Sequence, residues 1–252
     1  AKVMHSASED VIALAPAGEV AFSNGKVTYV GLRAKSEPTP GISKSPAPRQ
    51  RVDGRGPASN DTSAPIPLIA VGDTYVYESA DLQDPGESVV TKRTVTSTSG
   101  KIVLTTINLK NKAAKERRLY FNGEWNLLAS RNADNSGLDY APPLKYFDFP
   151  LFPGKTWQQT TTETNIKTGA VRTHTVSGTV GQWEEITVPA GTFRAIKVSL
   201  GTELIDPSAG EKISGTDVSW YAPEVRRSVK SVTSGKDGKQ KIIQLVRYEL
   251  EQ

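Results

Sequence analysis

The chain has 252 residues, with 31 Lys and Arg against 27 Asp and Glu, 21 Gly, 16 Pro, one Met and no Cys. The missing thiols exclude a disulfide framework, a thiolate metal site and a cysteine nucleophile, and the only two imidazoles, His5 and His174, lie too far apart in sequence to suggest a histidine metal site or relay. A formal charge of +4 spread along the chain reads as a solvated surface, because nucleic-acid binders concentrate such charge on one element.

The chain opens on Ala1 with no charged-then-apolar leader ahead of it. Signal peptidases cut beside small residues, so Ala1 is expected to be a mature end and the protein to be periplasmic, outer-membrane associated or secreted. Asp10 to Ala15 (DVIALA) and Glu19 to Phe22 (EVAF) are short β-like runs, and Asn24-Gly25 ahead of Val27 to Val30 (VTYV) is a hairpin signal. Residues 1–35 are therefore expected to form a β segment too small to fold alone. It would dock on the rest of the chain or on a partner through Val11, Ile12, Val20, Phe22, Val27 and Tyr29. Residues 36–67 carry seven of the sixteen prolines and almost no large apolar side chain. That composition cannot offset the entropy of ordering and predicts an extended linker.

From residue 68 the pattern is β to the end. Candidate strands are Val71 to Glu78, Ser88 to Ser97, Lys101 to Leu109, Arg118 to Leu128 with a turn at Asn122-Gly123, Thr156 to Glu163 and Val171 to Gly178. Trp183 to Val188, Thr192 to Leu204, Thr216 to Tyr221, Arg226 to Thr233 and Lys241 to Leu250 complete the series. Strands at this spacing without an amphipathic helix predict an all-β domain over 68–252, an antiparallel β-sandwich or barrel of about ten strands. Lys110 to Arg118 is too short and polar for a packed helix and reads as a solvated turn. No run approaches the roughly 18 apolar residues of a membrane-spanning helix.

Three local patterns carry aromatic or turn chemistry. Phe149-Pro150-Leu151-Phe152-Pro153-Gly154-Lys155-Thr156-Trp157 reads as an apolar crossing that plugs one end of the sheet, or alternatively as a ligand pocket using Phe147, Phe149, Phe152 and Trp157. Val188-Pro189-Ala190-Gly191-Thr192-Phe193 reads as a tight hairpin, with no following helix to make a phosphate cradle. Trp220-Tyr221-Ala222-Pro223 reads as an end cover, or as a stacking platform together with Trp183.

No constellation of catalytic side chains is visible, and no enzyme activity, metal or cofactor is expected. His174 alternates with threonines and reads as an exposed side chain on a polar face, while Glu184 and Glu185 are strand neighbours that point to opposite faces. The basic clusters Lys110, Lys112, Lys115, Arg117, Arg118 and Arg226, Arg227, Lys230 read as a solvated rim. An anionic glycan or lipid surface is their alternative partner, and no nucleic acid is expected.

The segments FPLFPGKTW, GQWEEITVPAGTFRAIKV, WYAPEVRRSVKS and LVRYELEQ, in this order, resemble a loose group of uncharacterised exported β-rich proteins of Gram-negative bacteria, among them domains of unknown function. The resemblance runs from about Ile69 to the C-terminus and implies a secreted, periplasmic or outer-membrane-associated β domain, with no catalytic residues to carry over. Many members are lipoproteins, and this chain lacks the N-terminal Cys that would carry the lipid. The leading expectation is a non-catalytic structural or assembly component of a bacterial envelope or extracellular complex, engaging a protein partner or a second copy of itself through the N-terminal segment. The alternative is a glycan- or lipid-binding periplasmic module that uses Phe149, Phe152, Trp157, Trp183, Trp220 and Tyr221.

Overall fold

The computed structural model describes residues 62–252, apart from 85, 87, 112–115, 207–209 and 236–237, and the backbone of three short strands nearer the N-terminus. Those strands, β1 (Ala13–Ala15), β2 (Gly18–Ser23) and β3 (Lys26–Val30), form an antiparallel sheet in sequence order, with Phe22 opposite Val27. Val20 and Phe22 lie on β2 and Val27 and Tyr29 on β3, whereas Val11, Ile12 and the linker positions 36–61 fall outside the described residues. The chain divides into a unit of residues 1–56 and a unit of residues 57–252.

The second unit is a closed barrel. Its strands are β4 (Thr74–Asp81), β5 (Val89–Ser97), β6 (Ile102–Asn108), β7 (Arg117–Phe121), β8 (Leu127–Asn132) and β9 (Gly137–Leu144). They continue as β10 (Thr156–Asn165), β11 (Val171–Val188), β12 (Gly191–Asp206), β13 (Glu211–Ala222), β14 (Arg227–Ser234) and β15 (Gln240–Glu249). Each pairs antiparallel with its neighbours in sequence, and β15 closes on β4. Closure leaves no free edge to aggregate. The barrel form of the expected all-β domain is therefore the one the chain adopts.

The buried apolar side chains form one core inside the barrel, and side-chain alternation separates an inward from an outward face on each strand. On β10, Trp157, Gln159, Thr161 and Glu163 are buried or half-buried while Thr156, Gln158, Thr160 and Thr162 are exposed. A membrane-spanning barrel has the reverse arrangement, with an apolar outer band. Two strand readings change. Val171 to Gly178 and Trp183 to Val188 are one strand, β11, joined through a bulge between Val180 and Trp183. β9 has no counterpart in the expected strands, because Pro142 and Pro143 argue against a strand. The structure accommodates them where the β8 ladder skips between Ala129–Asp139 and Leu127–Leu144, and the Thr161 hydroxyl donates to the Pro142 carbonyl.

One end of the barrel is filled. The crossing over residues 145–155 sends Phe147 and Phe149 inward against Tyr221, with ring centroids 5.2 to 5.6 Å apart, spacings at which tilted aromatic pairs attract beyond their area burial. Leu151 pairs by two backbone hydrogen bonds with Ala64, and both are fully buried. A single 3-10 turn, Pro223–Val225, covers the same end with buried Val225.

Candidate functional site

Above this plug lies a cavity of about 310 Å3 whose wall combines aromatic rings with Arg93, Arg117, Arg227 and Asp217. Its volume is at the lower end of the roughly 300–1,000 Å3 typical of small-molecule sites. The arginines reach it by strand register: Arg93 on β5 lies opposite Thr106 of β6, which lies opposite Arg117 of β7. Arg93 shares parity with buried Val95 and turns inward, while Arg117, on the parity of Phe121, lines the cavity yet stays exposed.

The floor beside Arg227 is built by the turn between β7 and β8. The Asn122 side chain accepts hydrogen bonds from the backbone N–H groups of Glu124 and Asn126, both at 3.0 Å, and Asn126 accepts one from Phe147 N–H at 2.9 Å. This clamp holds Trp125 at φ 59°, a left-handed conformation that costs a bulky residue about 1–3 kcal/mol. The indole is thereby laid edge-on against Phe121, with ring centroids 5.4 Å apart, and under the Arg227 guanidinium, 4.1 Å from the ring centroid. Tyr75 and Phe121 complete a cage around the same cation at 5.6 Å each, a cation–π arrangement worth about 2 kcal/mol when desolvated.

Neighbouring Arg226 and Arg227 have opposite fates. Arg226 donates to both oxygens of buried Asp73, at 3.2 and 3.3 Å, and to the Glu251 carbonyl at 3.1 Å. It latches the C-terminal end to the segment before β4. Arg227 has no carboxylate within ion-pair distance among the described residues, and its Nη1 is buried without a hydrogen-bond partner. Arg93 is in the same condition: its Nε is unpartnered, its guanidinium stands 4.6 Å from the Tyr77 ring centroid, and burial, then Arg227, then Arg117 bring its pKa down to about 10. Two half-buried guanidiniums, with exposed Arg117 beside them, thus line one cavity with too little negative charge, which is a standing repulsion between Arg93 and Arg227. Asp217 on β13 lines the same cavity and makes no hydrogen bond or ion pair there. Burial pushes its carboxyl up to about 6. Tyr146 stands near it, with its hydroxyl raised to about 12 by burial and by Asp217 against the lowering effect of Arg117. Lys230 also contributes to the wall, but its ammonium sits 5.0 Å from the centroid of Trp220.

The aromatic residues singled out from the sequence do not converge on one pocket. Phe149 and Tyr221 belong to the buried plug, and Phe152 is exposed with the Lys155 ammonium 5.6 Å over its ring. Trp157 is half-buried and lies across Gly178 of β11. Trp183 is stacked by Arg194 at 4.5 Å, and Trp220 donates from Nε1 to Glu184 Oε2 at 2.7 Å. The basic-rim reading is corrected for Arg226 and Arg227: Arg226, the left-handed C-cap of the 3-10 turn, turns to the latch, and Arg227, which opens β14 two residues before buried Val229, turns to the cavity. His174 is corrected as well: its side chain is 14% exposed and its Nε2 lies 2.7 Å from Glu163 Oε2, inside the barrel on the parity of buried Val176. Parity with apolar neighbours was the sequence signal for Arg93, Arg117, Arg227 and His174.

Residues 152–244 match the DUF3108-like family. A comparison with curated proteins gives no match. Among solved structures, the chain resembles an exported-protein candidate of Bacteroides fragilis with a YmcC-like fold, at 16% identity over 74% of this chain and 99% of that one, with a TM-score of 0.50. A lipoprotein candidate from Parabacteroides distasonis is matched at 14% identity over 74% of this chain and 99% of that one, with a TM-score of 0.44. The hypothetical lipoprotein YmcC of Escherichia coli is matched at 10% identity over 70% of this chain and 84% of that one, with a TM-score of 0.43.

Proposed function

We propose that the barrel is a non-catalytic binding module of the bacterial envelope that holds the acidic group of an amphiphilic ligand inside its lumen. The observation that carries this reading is that the half-buried guanidiniums of Arg93 and Arg227, set among aromatic rings, each hold a buried nitrogen without a hydrogen-bond partner. An unpaired buried cation is costly, and an incoming carboxylate or phosphate would supply charge-assisted hydrogen bonds of about 1.5–3 kcal/mol each. The rings of Trp125, Phe121 and Tyr77 would pack the apolar part. The exported description of the B. fragilis protein with this fold is in keeping with an envelope location.

Isothermal titration with decanoate and decyl phosphate, against neutral decanol, tests the reading. Both acids should bind, decanol should bind at least tenfold more weakly, and Arg93→Gln or Arg227→Gln should each weaken the acids by about tenfold, or 1.4 kcal/mol. Equal binding of decanol, or variants that bind the acids as the parent does, would sink it.

A second reading keeps the expectation of assembly through the N-terminal segment. Among the described residues the sheet β1–β2–β3 ends on two strands, β1 and β3, with one neighbour each, and such edges accept an added strand. Loss of copurifying envelope proteins on deleting residues 1–35, with ligand binding unchanged, is its expected signature; the same proteins recovered with and without the segment would reject it.

A further inference from the structure

The cavity is bipolar. Its cations come from β5, β7 and the start of β14, and its one described carboxyl, Asp217, comes from β13, where it lies opposite Leu200 of β12 and Thr233 of β14. Neither of those cross-strand neighbours carries a charge. The charged and titratable groups around the cavity are Arg93, Arg117, Arg227, Lys230, Tyr77 and Tyr146, yet Asp217 forms no ion pair or hydrogen bond with any of them. A carboxyl and three guanidiniums in one half-buried space would ordinarily pair. Here Arg93 and Arg117 stand on β5 and β7, and Arg227 is held apart from Asp217 along the β13–β14 ladder, where Arg227 lies opposite Ala222 and Asp217 opposite Thr233, with Tyr146 near both Asp217 and Arg117. A purely anionic ligand would satisfy the arginines and leave Asp217 as an uncompensated repulsion.

We propose that the cavity selects a ligand carrying both an anionic group and an ammonium or hydroxyl donor, with Asp217 receiving the donor while Arg93, Arg117 and Arg227 take the anion. This rests on the acidic-ligand reading above and adds its second recognition element. Asp217 is a specificity-determining residue in this arrangement. Phosphate beside ammonium is the chemistry that fits, and it occurs in the headgroup of an ethanolamine phospholipid and in an amino-sugar phosphate.

The probes are lauroyl-lysophosphatidylethanolamine, lauroyl-lysophosphatidylglycerol, dodecyl phosphate and glucosamine 1-phosphate, each titrated into the full chain and into Asp217→Asn. The ethanolamine lipid should bind roughly tenfold more tightly than dodecyl phosphate, and Asp217→Asn should bring the two within about twofold. The glycerol lipid offers only hydroxyl donors and should fall between them. The pH profile carries the sign: ionisation of Asp217 above about pH 6 should strengthen binding of the ethanolamine lipid, whose diester charge is constant there, in the parent and not in Asp217→Asn. A purely structural Asp217 would leave the two profiles parallel.

Equal affinity of the parent for the ethanolamine lipid and dodecyl phosphate, or a preference that survives Asp217→Asn, overturns this inference while the acidic-ligand reading stands. Rejection of all four probes overturns both. Binding of glucosamine 1-phosphate with the lipids rejected supports the paired recognition and moves the source from lipid to sugar.

Discussion

Two buried carboxyls with opposite surroundings set opposite pH dependences. The Glu163 side chain is 4% exposed, and burial opposes its charge, but hydrogen bonds from His174 and Arg172 outweigh that and hold its carboxyl below the usual range. A depressed folded-state pKa gives stability that is fully present above the unfolded value of about 4.5 and is lost as pH falls through the folded pKa. Glu163→Gln should therefore lose about 2 kcal/mol in urea unfolding at neutral pH, because the half-exposed Arg172 loses its partner. The loss should shrink toward about pH 3, and an equal loss at both pH values would show that no charge linkage is involved. Asp217 runs the other way. Its raised pKa of about 6 makes the fold most stable while the carboxyl is neutral, below the unfolded value of about 3.8, and that stability is lost as pH rises through 6. Asp217→Asn should therefore raise the unfolding free energy at pH 7 by about 1–2 kcal/mol, allowing for water in the cavity.

At the scale of strands, two glycines show which cross-strand contacts are rigid. A Cβ on Gly137 of β9 would stand 1.9 Å from the Ser130 carbonyl oxygen of β8, a backbone atom that cannot move aside without breaking the ladder. On Gly178 it would stand 2.1 Å from the Trp157 ring, a side chain that covers the glycine from the neighbouring strand. Gly137→Ala is expected to cost about 3 kcal/mol or more by overpacking against backbone, while Gly178→Ala should cost about 1–3 kcal/mol and shift tryptophan emission as Trp157 is displaced. Equal losses with unchanged emission would contradict the contrast. The same element scale explains what was readable beforehand. Strand existence followed from β-branched alternation and turn chemistry, as at Asn122-Gly123, where one expected run became β7 and β8. Pro142 and Pro143 hid β9, because a sequence does not show that a ladder will skip at those positions. The arginines of the cavity carried only the signal of parity with apolar neighbours, which a run of adjacent basic residues such as Arg226-Arg227 blurs, and barrel closure decides which of them line the lumen. Trp125 at a positive φ carries no local signal, since its conformation is fixed by the side chains of Asn122 and Asn126.

For the molecule as a whole, the boundary of the self-sufficient unit follows from what the core contains. Its buried apolar residues run from Ala64 at the plug to Leu245 on β15. Ala64 and Leu151 exchange backbone hydrogen bonds at 2.7 and 2.9 Å, and the Thr62 carbonyl accepts from Trp183 Nε1 at 3.5 Å. Residues 62–67, which the proline pattern assigns to a linker, thus contain a short tie that helps close the plugged end. A chain beginning at residue 62 should unfold cooperatively at the same urea midpoint as the full chain and should retain the ligand cavity. Beginning instead at residue 68 removes two backbone hydrogen bonds and a buried side chain, and should cost about 2–3 kcal/mol. The tie lies on the plug rather than on the cavity wall, so ligand affinity in the shorter chain should fall only as far as its stability does. If the chain from residue 62 fails to fold, the barrel depends on the N-terminal unit. If the two truncations share one midpoint, the Ala64 tie contributes nothing, and the unit begins where the proline pattern alone would place it.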